Sequence, residues 1–201
     1  MQNFFIFDEF YEDPYKVREH ALNCEYNLTA PKHWDTHSDD VLWPGRVAES
    51  FYKEKGIDVK FSKLLNTVVR TTKESGFFRV SPLNETTKYV VHIDGFNDKP
   101  ARQFTAVVYL NTPDQCLDKK GTIFYRHKKT GKIKIDNSID DMLLSSDYTS
   151  IDAWEIDQVI DLKFNRLVVL ETNLFHSIGD CFGTVVSDSR LAQIFTLNEI
   201  T

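Results

Sequence analysis

Two imidazoles and one carboxylate stand in this chain where they could share a single metal ion: His92 and Asp94 in the run Tyr89-Val-Val-His92-Ile-Asp94, and His176 far downstream in Phe175-His176. If residues 88 to 94 form a strand, side chains at i and i+2 face the same way, so His92 and Asp94 converge while Ile93 packs behind them. The third ligand must come from elsewhere in the fold. His176 ends the strand-like run Arg166-Leu-Val-Val-Leu-Glu-Thr-Asn-Leu-Phe. Two imidazoles and a carboxylate hold a divalent metal on three positions and leave three open, the arrangement of reactive mononuclear iron sites. A His-x-Asp pair alone is a weak signal, and each of the three residues also has an ordinary reading as a polar group at a strand end.

The surrounding pattern supplies elements to position such a set. Residues 4 to 7 (Phe-Phe-Ile-Phe) read as a short strand. Asp13-Pro14 reads as a helix start, an N-cap followed by proline in the first turn, with Tyr15, Val17, Ala21 and Leu22 as its apolar stripe. Residues 24 to 46, with Pro31, Trp34, Trp43, Pro44 and Gly45, lack periodicity and read as an irregular covering loop. Phe61, Leu64, Leu65, Val68 and Val69 keep helical spacing and predict a helix of about 10 residues. After Gly76 come short β-rich runs: 77 to 80, 88 to 94, 104 to 111, 122 to 126, 132 to 135, 159 to 164, 167 to 171 and 191 to 197. Such a series predicts a sandwich or barrel preceded by helices. The basic run Arg126-His-Lys-Lys-Thr-Gly-Lys-Ile-Lys reads as a hairpin turning at Thr130-Gly131, and the acidic stretch from Asp136 to Asp157 as a solvated insertion.

The 201 residues, 41% hydrophobic, suffice for one buried core and predict a single domain, with 1–76 as helical and loop support and 77–197 as the β core, interrupted by an insertion at about 127–158. Fifteen Phe, eight Tyr and three Trp suit a lined cavity. A net charge of -6 disfavours non-specific binding to nucleic acid or an anionic membrane. Cys24, Cys116 and Cys181 form no CxxC pair, so no disulfide framework or zinc knuckle is indicated and a reducing cytoplasm is the default. No leader or membrane-spanning run is evident.

Taken in order, these residues resemble the 2-oxoglutarate and Fe(II)-dependent oxygenases, specifically the prolyl 4-hydroxylase-like branch, over about residues 77 to 197. In that branch a Tyr precedes the His-x-Asp by three residues, as Tyr89 does. An Arg, a Thr and Tyr-Leu-Asn follow on the next strand, matched by Arg102, Thr105 and Tyr109-Leu110-Asn111. A glycine-bearing turn leads into an apolar strand, matched by Gly121-Thr-Ile-Phe-Tyr. The distal histidine is matched by His176 and the basic cosubstrate residue by Arg190 in Arg190-Leu-Ala. Two departures stand out. Lys120-Gly121 keeps only the second of the usual glycine pair, and the gap from His176 to Arg190 exceeds the roughly 10 residues of a plain strand-turn-strand connection, so residues 179 to 189 must loop.

The resemblance implies a double-stranded β-helix, or jelly roll, in a mainly β, α+β fold with supporting N-terminal helices. It implies that His92, Asp94 and His176 hold Fe(II), and that Tyr109, Arg190, Thr105 and Tyr89 serve 2-oxoglutarate. Thr105 and Tyr109, four positions apart on one strand, would meet one end of the dicarboxylate, and Arg190 offers the planar fork that pairs with it. It further implies O2-dependent hydroxylation of an unactivated C–H, with an amino-acid or peptidyl side chain such as proline as the first guess for substrate, and no nucleic acid or membrane partner. Two alternatives accompany it: a small-molecule-modifying oxygenase of the same superfamily, and a cupin-like jelly roll that binds metal without catalysis. His33 and His37 share a His-x-x-x-His spacing, but no helical pattern puts them on one face.

Overall fold

A computed structural model of the chain describes residues 3–27, 45–83, 91–95, 101–137 and 144–200. Within them lie, in chain order, β1 (Phe4–Phe7), α1 (Pro14–Leu22), β2 (Tyr26–Asn27), β3 (Arg46–Phe51), α2 (Ile57–Leu65), β4 (Val69–Thr71), β5 (Phe77–Ser81), β6 (Gln103–Tyr109), β7 (Lys120–His127), two 3₁₀ turns (Ser145–Thr149 and Ile151–Ala153), β8 (Trp154–Asp161), β9 (Leu167–Glu171), β10 (His176–Ile178) and β11 (Arg190–Glu199). An eight-stranded sheet runs β1-β9-β6-β11-β5-β3-β2, with β4 also pairing β11, and a three-stranded sheet runs β10-β7-β8. Every strand pair is antiparallel. The chain is thus mainly β, with two α-helices among the described residues.

Alternation of side chains gives the larger sheet two distinct faces. Phe78 and Val80 on β5, Phe104, Ala106 and Val108 on β6, Leu167 and Val169 on β9, and Leu191, Phe195 and Leu197 on β11 form one apolar layer. Val17 and Ala21 of α1 and Ile57, Phe61 and Leu65 of α2 close over it. The opposite face, with Phe77, Arg79 and Ser81, Thr105 and Val107, Leu170, and Arg190, Ala192, Ile194 and Thr196, lines a cavity of about 410 Å³. A second apolar cluster, with Phe124, Ile160, Val168 and Leu170, joins this face to the smaller sheet.

The helices follow local rules. Asp13 caps α1 by accepting from the Lys16 N–H, with proline in the first turn. Val17 and Ala21 are fully buried, but Tyr15 is exposed and Arg18 is buried instead, its guanidinium donating to the carbonyls of Leu110 and Ser187. The second helix begins earlier and ends earlier than its spacing predicts. Asn66 takes a left-handed conformation (φ 52°) that terminates it, so Val69 enters β4 and Val68 is exposed.

Other boundaries also move. β2 lies within the segment read as a loop and β3 begins at its last residue; β3 pairs with β2 and β5, and residues 28–44, with His33, Trp34, His37 and Trp43, lie outside the described residues. Residues 132 to 135 form only an isolated bridge, Lys134 with Leu174, rather than a strand. β8 starts at Trp154, five residues before the predicted strand, because pairing with β7 carries acidic side chains on an exposed face. None of the three cysteines is in a disulfide, and no described helix is long and apolar enough to cross a membrane.

Candidate metal centre

His176 opens β10, and β10 pairs with β7. His92 lies on no regular strand; it is held by a two-way bridge to His176, the His92 N–H donating to the His176 carbonyl at 2.9 Å and the His176 N–H returning at 3.0 Å. The chain then turns so that the N–H groups of Asp94 and Gly95 both donate to the Thr172 carbonyl, at 2.8 and 3.1 Å. Backbone bonds therefore fix all three residues against the same corner of the fold. One ligating atom from each of His92, Asp94 and His176 lies within 4.8 Å of the other two. His92 Nε2 is 3.7 Å from Asp94 Oδ1, and His176 Nε2 is 3.4 Å from Asp94 Oδ2.

The protonation states suit a cation. His176 Nδ1 faces the Leu174 carbonyl at 2.9 Å, and a carbonyl only accepts, so Nδ1 carries a proton and Nε2, which faces Asp94, is the atom at which a metal can replace a proton. Burial pushes His92 down to about 3, reinforced by His176, so this ring is neutral at physiological pH. Burial acts to raise Asp94, but His176, His92 and a hydrogen bond from Thr105 outweigh it and hold the carboxyl ionised. For His176 the Asp94 carboxylate more than offsets burial and raises the ring. A neutral donor, an anionic donor and a third ring that exchanges its proton for a metal form a fitting set for a divalent ion.

The buttress behind these ligands is a third apolar cluster: Val91 and Phe175, the chain neighbours of His92 and His176, pack with Tyr125, Ile135, Leu144, Tyr148 and Trp154. Leu144, Tyr148 and Trp154 come from the acidic stretch that reads as a solvated insertion. Part of that stretch packs behind the site, and the Val91 N–H donates to the Tyr148 carbonyl. The pattern concealed this because the buried residues are isolated among acids. His127, 1% exposed, contacts Thr130 and Asp147 and meets the edge of Trp154, so both it and Trp154 are packing anchors.

Arg190 opens β11 and is 3% exposed. Its guanidinium donates to the carbonyls of Gly121 (2.7 Å) and Lys120 (3.3 Å) and lies 5.4 Å from the centroid of the Tyr109 ring. Tyr109 is fully buried, its hydroxyl 2.6 Å from Thr122 Oγ1. A Cβ on Gly121 would stand 2.6 Å from that ring, which explains why the retained glycine is this one. Residues 179–189 do loop between β10 and β11, tied by Gly179 and Asp180 N–H bonds to Gly121 and Lys120 and by the Asp188 carboxylate accepting from Thr184 and Val185.

Thr105 and Tyr109 share the inner face of β6, but four residues span roughly 13 Å along a strand. Thr105 stands at the metal corner with Asp94, and Tyr109 at the Arg190 end. The two therefore stand apart, and of them only Thr105 is among the residues that line the cavity. Tyr89 lies outside the described residues. Arg102 pairs with Glu199 at 3.0 Å and has no place in the cavity lining. Arg79 falls within the predicted strand 77 to 80 with no signal of its own, yet it lines the cavity that contains the triad. Its inward parity with Arg190, across paired β5 and β11, was the available signal.

No protein-family model matches the sequence, and no curated protein matches it. Solved structures do match in fold. A prolyl hydroxylase from Trichoplax adhaerens, in complex with a hypoxia inducible factor oxygen degradation domain peptide fragment, aligns with a TM-score of 0.53 at 16% identity over 98% of this chain and 83% of that one. The non-heme alpha-ketoglutarate-dependent carbocyclase SnoK from nogalamycin biosynthesis gives 0.54 at 10% identity over 98% and 79%. A Pseudomonas putida prolyl-4-hydroxylase gives 0.50 at 14% identity over 100% and 94%. In its fold the chain is like the prolyl hydroxylases and other 2-oxoglutarate-dependent oxygenases, the superfamily that the order of its motifs resembles.

Proposed function

We propose that this protein is an Fe(II)- and 2-oxoglutarate-dependent dioxygenase that hydroxylates an unactivated C–H bond, and that its two sheets are those of a double-stranded β-helix. The observation that carries the reading is the convergence of the His92, Asp94 and His176 ligating atoms within 4.8 Å at the wall of a cavity that also contains Arg190. His92 Nε2, His176 Nε2 and an Asp94 oxygen are the iron ligands in this proposal. Bound iron and 2-oxoglutarate supply O2 activation coupled to decarboxylation of the keto acid to succinate.

The chain's own groups orient, shield and neutralise. Thr105 donates to Asp94 and aims its carboxylate. Arg190 turns its guanidinium from the Lys120 and Gly121 carbonyls toward the distal carboxylate of the keto acid. Tyr109, raised above its ordinary pKa by burial, stays protonated and supports the guanidinium through its ring. Phe77, Val107, Leu170 and Ile194 keep the interior apolar and exclude water from the reacting carbon. Thr72, Glu74 and Thr196 line the end of the cavity beyond Ile194, where an amino-acid or peptidyl side chain is the proposed substrate. Tyr89 is the remaining proposed cosubstrate contact.

One observation favours a second reading, a metal-binding jelly roll without turnover: the Arg190 donors already have backbone acceptors. Incubating the protein with Fe(II), 2-oxoglutarate and O2 and measuring succinate separates the two. The dioxygenase produces succinate above a no-protein control, and a pure binding module produces none.

A further inference from the structure

We propose that Glu74 recognises a cationic nitrogen on the substrate, so that the molecule hydroxylated carries an ammonium or guanidinium group; this rests on the functional reading above and names its substrate class. Glu74 lies in the short connection between β4 and β5 and lines the cavity together with Thr72 and Thr196. It is partly buried. Its carboxylate makes no hydrogen bond or ion pair with the described residues. Of the two acids among the described lining residues, Asp94 is the proposed metal ligand, which leaves Glu74 to meet another group.

The turn that presents this carboxylate is fixed on β11. The Ser75 N–H closes it by donating to the Thr72 carbonyl at 3.2 Å. The Thr72 N–H and the Ser75 hydroxyl both donate to the Thr196 carbonyl, at 3.0 and 2.7 Å, the Thr196 N–H returns to Ser75 Oγ at 2.9 Å, and the Gly76 N–H donates to the Ile194 carbonyl at 2.8 Å. The ammonium that reaches this turn, Lys53 Nζ, donates to the Thr72 carbonyl at 2.6 Å and not to Glu74. A cation docking there does not have to order the backbone that holds its partner. A neutral or anionic group in its place would strip water from the carboxylate and return nothing.

Charge and distance agree with this occupant. Along the inner face of β5 the wall runs Phe77, Arg79, Ser81, with Arg190 paired opposite Ser81 and Glu74 placed before Phe77. The arginines thus favour a dianion at one end, and Glu74 favours a cation at the other. Thr196 pairs with Thr105 across β11 and β6, and Thr105 hydrogen-bonds Asp94. Two strand spacings therefore put the turn on the order of 10 Å from the metal corner. That span leaves room for a few bonds between the reacting carbon and the cationic nitrogen, as in a free amino acid or a basic side chain.

The test titrates the full chain, loaded with Mn(II) and 2-oxoglutarate under anoxia, by calorimetry. The probes are L-proline, L-lysine and L-arginine, their N-acetyl methylamides, and N-acetyl-norleucine methylamide, which has the carbon chain of the lysine derivative without its ammonium. At least one cationic probe should bind, and more tightly than the norleucine derivative. Binding of the free amino acids but not of their derivatives assigns the recognised cation to the α-ammonium; binding kept by the lysine or arginine derivative assigns it to the side chain. Glu74→Gln should weaken that probe about 10-fold, the loss of one charge-assisted contact, and Glu74→Lys should abolish its binding. The 2-oxoglutarate affinity of the Mn(II)-loaded variants should match the wild type. Equal affinity for cationic and neutral probes, no binding by any cationic probe, or unchanged binding in Glu74→Lys overturns the proposal. So does a parallel loss of 2-oxoglutarate affinity in both variants, which would make Glu74 a support for the turn. Failure of the wild-type protein to bind 2-oxoglutarate would instead sink the functional reading itself.

Discussion

The two walls of the cavity are built differently. The wall on the larger sheet is regular: β5, β6, β9 and β11 pair in continuous register, and alternation alone decides which residues face in. It contributes the arginines and the apolar lining. The opposite wall is irregular: His92 and Asp94 hang from a single bridge and two N–H bonds, and their backing comes from 3₁₀ turns and one buried cluster. A regular sheet resists local change because each residue shares its load with two neighbours. The metal wall rests on few contacts, so single substitutions there should cost more function for the same change in volume.

The largest effect is expected at the irregular wall. Asp94→Ala should lose most bound Fe(II) and all succinate formation, because two neutral imidazoles hold a divalent ion poorly; elemental analysis after anaerobic desalting measures it. Phe175→Ala, which empties the cluster behind His176, should destabilise the chain by about 3 to 5 kcal/mol by denaturant unfolding and weaken metal binding as well. Were Phe175→Ala to leave metal affinity intact, the two walls would not differ in the way described.

On the regular wall, Arg190→Leu should keep the metal and raise the 2-oxoglutarate requirement about 10- to 100-fold, read from succinate formation against cosubstrate concentration. Gly121→Ala should cost about 1 to 3 kcal/mol, since the added Cβ meets the Tyr109 ring at 2.6 Å. The smallest effect lies far from either wall. The Arg102 hydrogen bond holds Glu199 at about 2, against an ordinary 4.5. A carboxyl depressed on folding contributes stability above its unfolded value, so this contribution is present above about pH 4.5 and fades as pH falls toward 2. Glu199→Gln should flatten the stability profile in that window while leaving metal binding unchanged.

The regular wall was also the legible one. Strands 77 to 80, 104 to 111, 167 to 171 and 191 to 197 announce themselves as short runs rich in β-branched and aromatic residues, and β5, β6, β9 and β11 occupy those positions to within a few residues. His92, Asp94 and His176 were found through their types and spacing, although the strand invoked to aim the first two is only a bridge in the described residues. Long-range backbone pairing does that work, and no local pattern encodes it. The buttress was hidden for a related reason: Leu144, Tyr148 and Trp154 are separated by acids, so the segment averages to a solvated composition although these three turn inward while Ile151 and Ile156 stay exposed. Arg79 was overlooked because charge within a strand reads as an outward-facing residue. Its burial follows only once β11 is paired against β5.

Anaerobic dialysis of 2-oxoglutarate against the Fe(II)-loaded protein, the metal-free protein and Asp94→Ala tests the central claim most directly. The account predicts one 2-oxoglutarate bound per chain when iron is present, and much weaker binding in both other samples. Equal binding with and without iron, or binding retained by Asp94→Ala, would contradict it.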